Sequence, residues 1–323
     1  MRRGKLKAVI IGCGQIAGGY DNNAAPTSIS THIRAYQSRH DIDVVGVADS
    51  DESKAKAFSR RWHIPFYTSS ARKLLSATRP DIVSICTPNE FHQSMLKLCT
   101  HFPVKGLWCE KPLAIETGAV RPLVVYFQRK GIPLLVNYMR RWLDQAQIFR
   151  TKLIKGQLGK VLRVSGSYVK GLRHNGSHTI DLWRYWFGEP HALAVWRRSP
   201  DHQATDGILD STLRFGDIQA TILGFGYPGF PFWEVDVLAT RARVIFREGG
   251  NIVEWYEKLV QGPGGPELSA HKRTVRSNLN GVMKNVLEGL ISSMYTKTPL
   301  LSDGENGLQT LSVCNRLLRL RVR

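Results

Sequence analysis

The feature that most constrains the fold is an alternation of short apolar runs and helix-length segments over the first 137 residues. The apolar runs are residues 6–11, 44–48, 81–86, 104–109 and 132–136. They are almost continuously apolar, which is typical of strands that are buried on both faces of a parallel sheet. Segments 53–62, 90–100 and 117–130 have the length of connecting helices. The alternation therefore predicts a doubly wound α/β domain that ends near Asn137.

The rest of the chain contains a succession of strand candidates instead. Strands are predicted at 161–168, 192–197, 208–215, 218–224, 233–238, 242–246 and 252–256, with Gly, Asp and Pro between them. Helices are predicted at 142–155, 178–187, 278–295 and 305–320. We therefore expect residues 139–323 to form an α+β domain with a large, mainly antiparallel open sheet.

Composition limits the class of protein. Hydrophobic residues make up 42% of the 323-residue chain, which is enough for large cores and too much for a disordered chain. No apolar run approaches the ~20 residues that span a bilayer, and the charged N-terminus lacks the apolar stretch of a signal peptide. The 5 cysteines lack C-x-x-C spacing, which favours buried thiols in a reducing, cytoplasmic compartment over disulfides or a metal site, with one reactive thiol as the alternative.

The net charge is strongly positive, because 45 Lys and Arg residues against 26 Asp and Glu residues give +19. Such a charge suits binding to a nucleic acid, an anionic surface or an anionic small molecule. The sequence contains no helix-turn-helix, zinc or other module for nucleic-acid recognition. We therefore expect an anionic small molecule as partner, with no nucleic acid and no membrane.

Residues 12–17 have the pattern G-x-G-x-x-A, directly after the first apolar run and before a predicted helix. The first glycine permits a tight turn, the second lets the backbone approach a pyrophosphate, and the alanine lets helix and strand pack closely. Free N–H groups at the start of a helix attract phosphates. The predicted cofactor contacts here are Gly12, Gly14, Gln15, Ile16 and Ala17. We therefore predict a Rossmann dinucleotide-binding domain over residues 1–138.

Asp49 follows the second apolar run, where a carboxylate binds the ribose hydroxyls of the cofactor. Its spacing from the glycines exceeds the usual ~20 residues, and the polar stretch 21–28 is interpreted as an insertion that accounts for the excess. Acidic residues follow Asp49, and no arginine occurs before Arg60, so a 2′-phosphate would be repelled. This favours NAD over NADP, although Lys54 leaves NADP open.

Three further motifs follow predicted parallel strands, at the sheet edge where open α/β sheets bind ligands. The cofactor-binding residues predicted there are Thr87, Pro88, Asn89, His92, Glu110, Lys111 and Asn137. A fourth motif, G-S-H-T-I-D at residues 176–181, opens a helix in the second domain.

In their order and spacing, these motifs resemble the glucose–fructose oxidoreductase / inositol dehydrogenase (Gfo/Idh/MocA-type) family of nucleotide-dependent dehydrogenases. The resemblance covers nearly the whole chain and extends to a Pro299…Asp303-Gly304 turn before the last helix. It implies a Rossmann domain with a C-terminal α/β domain, NAD as cofactor and a sugar or sugar-nucleotide substrate. Because the open sheet of the family often mediates oligomers, a homo-oligomer (dimer or tetramer) is expected.

The resemblance also implies catalytic residues. Lys111, in the E-K-P match, would lie beside the nicotinamide, hydrogen-bond the substrate hydroxyl and stabilise a developing alkoxide. His178 would be the general acid and base, since imidazole titrates near neutral pH. The family usually has Asp four residues earlier, where this chain has His174. Either the site is retuned, with His174 contacting substrate, or catalysis is weak or absent.

Basic residues near these motifs bear on the substrate. The substrate-binding residues predicted alongside Lys111 and His178 are Arg140, Tyr168, Lys170, Arg173 and Asn175. Arginine forks suit carboxylate or phosphate, as in a uronic acid or a nucleotide-diphosphate sugar. A solvated basic face is the alternative for any one of them.

The leading functional hypothesis is an NAD-dependent oxidoreductase that acts on a secondary alcohol of a sugar or sugar nucleotide. One alternative is a non-catalytic NAD-binding sensor or scaffold, which would tolerate the change to His174. Another is a redox glycosidase that oxidises its substrate transiently and retains NAD. Release of sugar without net reduction of NAD would distinguish the last of these.

Overall fold

The computed structural model describes residues 4–25, 27–199, 206–257, 259–262, 265–268 and 272–322. The chain divides into two compact units. The first contains residues up to Met139 together with Asn280–Leu311, and the second contains Arg140–Leu279 and residues from Ser312 onward. Of the helices that the described residues form, none is both long and apolar enough to cross a bilayer.

The described part of the first unit contains a six-stranded parallel sheet in the order β3-β2-β1-β4-β5-β6. Its strands are β1 (Leu6–Ile11), β2 (Ile42–Ala48), β3 (Tyr67–Thr68), β4 (Ile82–Ile85), β5 (Gly106–Cys109) and β6 (Leu134–Val136). The helices are α1 (His32–Gln37), α2 (Glu52–Trp62), α3 (Ala71–Thr78), α4 (His92–Cys99) and α5 (Thr117–Arg129). Every residue of β4, β5 and β6 is buried, because helices cover both faces. The predicted doubly wound α/β fold is confirmed.

The segment after the glycine-rich turn differs from the predicted helix. Turns occupy residues 15–18 and a short 3-10 helix follows at Gly19–Asp21, so that α1 begins only at His32. The amide of His32 donates to the carbonyl of Ile16 across 3.1 Å. Helix α1 therefore continues the first turn, and the described residues 18–25 and 27–31 form a loop between them.

This loop is organised by Asp21, whose side chain is almost completely buried. Its carboxylate accepts hydrogen bonds from the hydroxyls of Ser28 (3.2 Å) and Thr31 (2.7 Å) and from the amide of Ser30 (3.0 Å). The inserted residues are thus folded onto one buried acceptor, which explains how the chain accommodates the long spacing before Asp49.

The second unit contains an eight-stranded sheet among its described residues, in the order β16-β13-β12-β11-β7-β10-β9-β8. The strands are β7 (Val161–Val169), β8 (Ala192–Ser199), β9 (Ile208–Phe215), β10 (Ile218–Phe225), β11 (Trp233–Ala239), β12 (Ala242–Arg247), β13 (Ile252–Tyr256) and β16 (Arg273–Arg276), with a separate hairpin of β14 (Leu259–Gly262) and β15 (Gly265–Leu268). Its neighbouring strands are antiparallel except β10 and β7. Helices α6 (Asp144–Ile154) and α7 (Ser177–Phe187) complete this unit, and the predicted α+β class is confirmed.

The last two helices, α8 (Val282–Thr296) and α9 (Gly304–Arg319), differ from the sequence-based division at residue 138. That division assigns both to residues 139–323, whereas the structure places residues 280–311 in the first unit. A Cβ on Gly106 of β5 would lie 2.8 Å from Met294 Sδ, and one on Gly307 would lie 2.7 Å from Val136 of β6. Close packing through glycine therefore holds residues 280–311 in the first unit.

Candidate functional site

The predicted cofactor residues lie along one edge of the parallel sheet, at the carboxyl ends of its strands. The amide of Gly12 donates to the last carbonyl of β2 (2.7 Å), that of Glu110 to the last carbonyl of β4 (2.9 Å), and that of Asn137 to the last carbonyl of β5 (2.8 Å). The strand order reverses between β1 and β4, which is the position where doubly wound sheets bind ligands. The structure therefore brings these motifs together.

The glycine-rich turn has the geometry of a phosphate cradle. Gly12 has φ +96°, and a Cβ on it would lie 2.6 Å from the carbonyl carbon of Cys86, so only glycine fits. A Cβ on Gly14 would meet no atom within 4 Å, so the backbone there is open to a ligand. The residues present therefore fit a dinucleotide.

The carboxylate of Asp49 lies beside this turn. One of its oxygens accepts a hydrogen bond from the amide of Cys13 (2.9 Å) and the other accepts one from the amide of Asp51 (3.0 Å). Asp51 in turn caps α2 by accepting from the amides of Ser53 (3.0 Å) and Lys54 (3.3 Å). Because a carboxylate already occupies this helix N-terminus, a 2′-phosphate would meet like charge, which favours NAD.

Two buried polar atoms at the same edge have no hydrogen-bond partner among the described residues. They are Oγ1 of Thr87 and Oδ1 of Asn137. Buried polar atoms are normally paired, so both are suited to contacts with a bound cofactor. His92 has a different role, because its ring nitrogens lie 2.6 Å from the carbonyl oxygen of Pro112 and 2.9 Å from that of Thr87. It joins two loops of the site, and its buried ring is engaged within the chain.

Glu110, predicted to contact the cofactor, is the centre of a buried network. Its Oε1 lies 2.9 Å from Nε2 of His32 and accepts from Nδ2 of Asn137 (2.5 Å). The other ring nitrogen of His32 lies 2.9 Å from the hydroxyl of Ser84, which lies 2.7 Å from that of Tyr36. This network occupies Oε1 of the carboxylate, and a cofactor contact by the other oxygen of Glu110 stays a prediction.

The charge of this network follows from its hydrogen bonds. Burial on its own raises the pKa of Glu110, but the hydrogen bond and charge of His32, the charge of Lys111 and the bond from Asn137 together hold that pKa below its ordinary value. The carboxylate is therefore ionised at neutral pH. It lies one residue before Lys111, which is half-buried. His32 was missed in the sequence because its partner lies 78 residues away and nothing local marks the pair.

In the second unit, His178 is the second residue of α7 and is 5% exposed. A π-helical turn, Leu172–Gly176, precedes α7 and carries His174, which is exposed. The hydroxyl of Ser177 donates to the carbonyl of Arg173 (2.6 Å) and joins this turn to the helix. His178 is therefore held on a rigid element, and His174 lies on the turn that leads into it.

Two predicted substrate residues are engaged within the second unit. Tyr168 is fully buried, and its hydroxyl donates to the carbonyl of Leu209 (3.1 Å) and accepts from the amide of Leu209 (2.9 Å). Nε of Arg173 donates to Oδ1 of Asn315 (2.8 Å). The structure argues against substrate contact by Tyr168, because its hydroxyl is already hydrogen-bonded to Leu209 and its ring is not exposed to solvent.

The other predicted substrate residues are more open. Asn175 is half-buried, and the Lys170 ammonium lies 4.3 Å from the ring centre of Tyr227. The Arg140 guanidinium lies 4.2 Å from the ring centre of Trp233. Trp233 was not singled out in the sequence, where it only begins a predicted strand.

Comparison with known proteins identifies a family whose members resemble the first unit. Residues 6–138 match a family model described as an oxidoreductase family with an NAD-binding Rossmann fold. Over this domain, the chain is similar to that oxidoreductase family. Over these residues the match confirms the resemblance drawn from the motifs and the expectation of NAD as the cofactor of the fold.

Several individual proteins are also similar to this chain. D-glucoside 3-dehydrogenase of Escherichia coli (strain K12) is 27% identical, covering 60% of this chain and 58% of the relative. D-apiose dehydrogenase of Paraburkholderia graminis is 26% identical, covering 59% of this chain and 52% of the relative. The chain thus aligns with little more than half the length of these relatives.

A solved structure extends the similarity of fold. The WlbA dehydrogenase from Bordetella pertussis, in complex with NADH and UDP-GlcNAcA, matches 98% of this chain and 97% of its own, with a TM-score of 0.76. Its sequence identity is 16%, so the match establishes a shared fold and no more.

Proposed function

We propose that this protein is an NAD-dependent dehydrogenase that oxidises a secondary alcohol of a sugar or sugar nucleotide. The observation that carries the proposal is the convergence of the glycine-rich turn, Asp49, the unpartnered atoms of Thr87 and Asn137, and Lys111 at one edge of the sheet. The substrate class is supported by relatives that are named D-glucoside 3-dehydrogenase and D-apiose dehydrogenase.

The residues proposed to hold the cofactor follow from this edge. Backbone amides of residues 12–17 would bind the pyrophosphate, and Asp49 would accept hydrogen bonds from ribose hydroxyls. Thr87 and Asn137 would satisfy their buried oxygen atoms on the nicotinamide half, with Pro88 and Asn89 adjoining. Bound NAD supplies the acceptor for the two electrons that leave the alcohol.

The chemistry proposed for the chain concerns the substrate proton. His178 removes the proton of the substrate hydroxyl through a ring nitrogen, and helix α7 holds the ring in place. The ammonium of Lys111 donates a hydrogen bond to the same substrate oxygen and stabilises the negative charge that develops on it. His174, exposed on the preceding turn, contacts the substrate in place of the usual aspartate.

Turnover assays test this proposal. Purified protein is incubated with NAD and a panel of sugars and sugar nucleotides, and the absorbance of reduced nicotinamide is followed. We expect His178→Ala and Lys111→Ala to lower kcat by about 10²-fold or more, with NAD affinity retained. The matched controls are His191→Ala and Lys56→Ala, both of exposed residues, which should leave kcat unchanged.

The other outcomes identify the competing functions. NAD binding without turnover of any sugar would favour a sensor or scaffold. Cleavage of a glycoside without net accumulation of reduced nicotinamide would favour a redox glycosidase. Turnover that survives both His178→Ala and Lys111→Ala would contradict the proposed roles.

We also propose that the protein is a homo-oligomer, a dimer or tetramer, that associates through the eight-stranded sheet. One face of that sheet has a polar concavity of about 240 Å³. It is lined by Ser165, Gly166, Ser167, Glu234, Asp236, Arg243, Ile245 and Arg247. Sedimentation should show a dimer or tetramer that Asp236→Arg weakens, and a monomer at all concentrations would contradict this.

We propose a cytoplasmic location for the protein. All 5 cysteines are free thiols, and 4 of them are buried, as expected in a reducing compartment. Cell fractionation with the full-length protein tests this location, and recovery outside the cytoplasm would contradict it.

A further inference from the structure

Arg140 differs from its neighbour Arg141 in its partners. The guanidinium of Arg141 binds the Asp181 carboxylate with two hydrogen bonds, of 2.7 and 2.8 Å, and is buried. Arg140 makes no hydrogen bond or ion pair with a carboxylate among the described residues, and its buried Nε has no hydrogen-bond partner there. Other arginines of the second unit do have carboxylate partners, namely Arg184, Arg197, Arg243 and Arg247.

The position of Arg140 is fixed by an aromatic platform. Its guanidinium lies 4.2 Å from the ring centre of Trp233, a distance at which a cation is attracted to the π face. Trp233 is 2% exposed, and its Nε1 donates to Oγ1 of Thr179 (2.8 Å). The buried ring is therefore fixed by its hydrogen bond, and the guanidinium rests on the fixed ring.

The charge of Arg140 persists at neutral pH. Burial lowers the pKa of Arg140 to about 9, which still leaves the guanidinium protonated. A partly buried cation without a counter-charge is unfavourable unless a ligand supplies that charge. An arginine held flat and unpaired is suited to two hydrogen bonds with a carboxylate or phosphate.

The surroundings of Arg140 leave room for an anion and place it near the proposed base. A Cβ on Gly249 would lie 4.0 Å from Nη2 of Arg140, and Gly249 carries no side chain to occupy that space. On the other side, Trp233 bonds Thr179, the residue that follows His178 in α7. The net charge of +19 raises the concentration of anions around the whole protein.

We propose that Arg140 is a specificity-determining residue that binds a carboxylate or phosphate of the substrate, and that the substrate is therefore an anionic sugar. This inference rests on the proposed dehydrogenase function and narrows its substrate class. Trp233 is the positioning residue, because it fixes the orientation of the guanidinium without contacting the anion. A uronate supplies a carboxylate and a sugar nucleotide supplies a diphosphate, so the two sources share one recognition chemistry.

Binding measurements with matched probes test the inference. Isothermal titration calorimetry of the NAD-bound protein uses D-glucose, D-glucuronate, UDP-glucose and UDP-glucuronate. We expect the wild type to prefer the anionic probes, and Arg140→Gln to weaken their binding about tenfold to a hundredfold, as for loss of a charge-assisted hydrogen bond. D-glucuronate and UDP-glucose distinguish the carboxylate from the diphosphate.

Two further variants keep the test decisive. Arg140→Lys keeps the charge, loses the planar fork, and should give an intermediate loss of affinity. Arg163→Gln, at an exposed position on β7, is the matched control and should have no effect. Arg140→Lys also serves if Arg140→Gln fails to fold.

The outcomes separate this inference from the proposed function. The inference would be overturned, and the dehydrogenase function would stand, if the protein oxidised D-glucose and showed no preference for anionic probes. In that case Arg140→Gln and Arg140→Lys would leave the turnover of D-glucose unchanged. Binding of anions that depends on Arg140 without any turnover would support the inference and contradict the function. Failure of every anionic probe to bind the wild type would overturn the inference.

Discussion

Replacement of His32 by alanine is expected to destabilise the first unit and to change how its stability depends on pH. The substitution removes a fully buried ring that lies 2.9 Å from Glu110 Oε1 and 2.9 Å from the Ser84 hydroxyl. The same ring packs on Trp108, with 3.9 Å between ring centres. Asn137 then remains as the partner of the carboxylate oxygen that His32 bonded.

The magnitude follows from the burial of the pair. Removing the ring takes a hydrogen-bond partner from a buried carboxylate and leaves a cavity beside Trp108, which together cost about 3–5 kcal/mol. For a unit of this size, each kcal/mol lowers Tm by about 2–4 °C. The Tm of His32→Ala should therefore fall by about 6–20 °C at neutral pH.

The pH dependence has a definite sign. In the wild type the pKa of Glu110 is below its ordinary value of 4.5, so the network stabilises the fold above that pH and this contribution is lost as the pH falls further. Without His32, the hydrogen bond that most opposes the effect of burial is lost, and the pKa of Glu110 moves upward. In this variant the buried, ionised carboxylate of Glu110 destabilises the fold at neutral pH, and protonation of the carboxylate at lower pH removes that destabilisation. The difference in Tm between the wild type and His32→Ala should therefore become smaller as the pH falls from about 7 to about 5.

A double-mutant cycle isolates the pair. Tm is measured by circular dichroism for His32→Ala, Glu110→Gln and the double variant, with His101→Ala as the exposed-histidine control. We expect the double variant to be more stable than the sum of the single effects predicts, because an amide needs no counter-charge. The reasoning would be refuted if the loss of Tm in His32→Ala did not depend on pH, or if the Tm losses of the two single variants simply added up in the double variant.

Three further predictions concern the sheet edge and the second unit. Asp49→Ala should raise the NAD Kd at least about tenfold in calorimetry, and unchanged affinity would exclude the ribose contact. Gly12→Ala should fail to fold when examined by circular dichroism, because its Cβ would lie 2.6 Å from a backbone carbonyl carbon. Gly14→Ala should fold, because its Cβ meets no atom within 4 Å, and should bind NAD more weakly than the wild type. Arg141→Met should lower the free energy of unfolding by about 3–5 kcal/mol in urea, because it removes the bidentate partner of buried Asp181, and a wild-type midpoint would contradict this.

Much of the fold could be predicted because its signals are local. The buried runs of β1 and β4 and the turn at Gly12 need only a few neighbouring residues to be recognised. The helix expected after that turn was displaced by the loop around Asp21, since the glycine pattern does not reveal where the helix resumes. The return of residues 280–311 to the first unit was missed, because apolar periodicity shows which face of a helix is buried but not what covers it.

The candidate site was predicted in part. The motif positions along the sheet edge followed from strand order, but the partners of individual side chains did not. Glu110 and Tyr168 are polar residues beside motifs, yet the structure engages both inside the chain. A motif fixes the backbone position of a residue, whereas burial and hydrogen bonding decide whether its polar atoms remain available.

The sequence by itself determined the Rossmann domain, its cofactor class and the sheet edge at which we propose the cofactor binds, since glycine geometry and strand alternation are properties of short segments. Only the tertiary structure decided that His32 pairs with Glu110, and that Arg141 is paired with Asp181 while Arg140 lies on Trp233. Adjacent arginines are equivalent in a sequence. They differ in the fold because ion pairs and ring contacts form between segments that lie far apart along the chain.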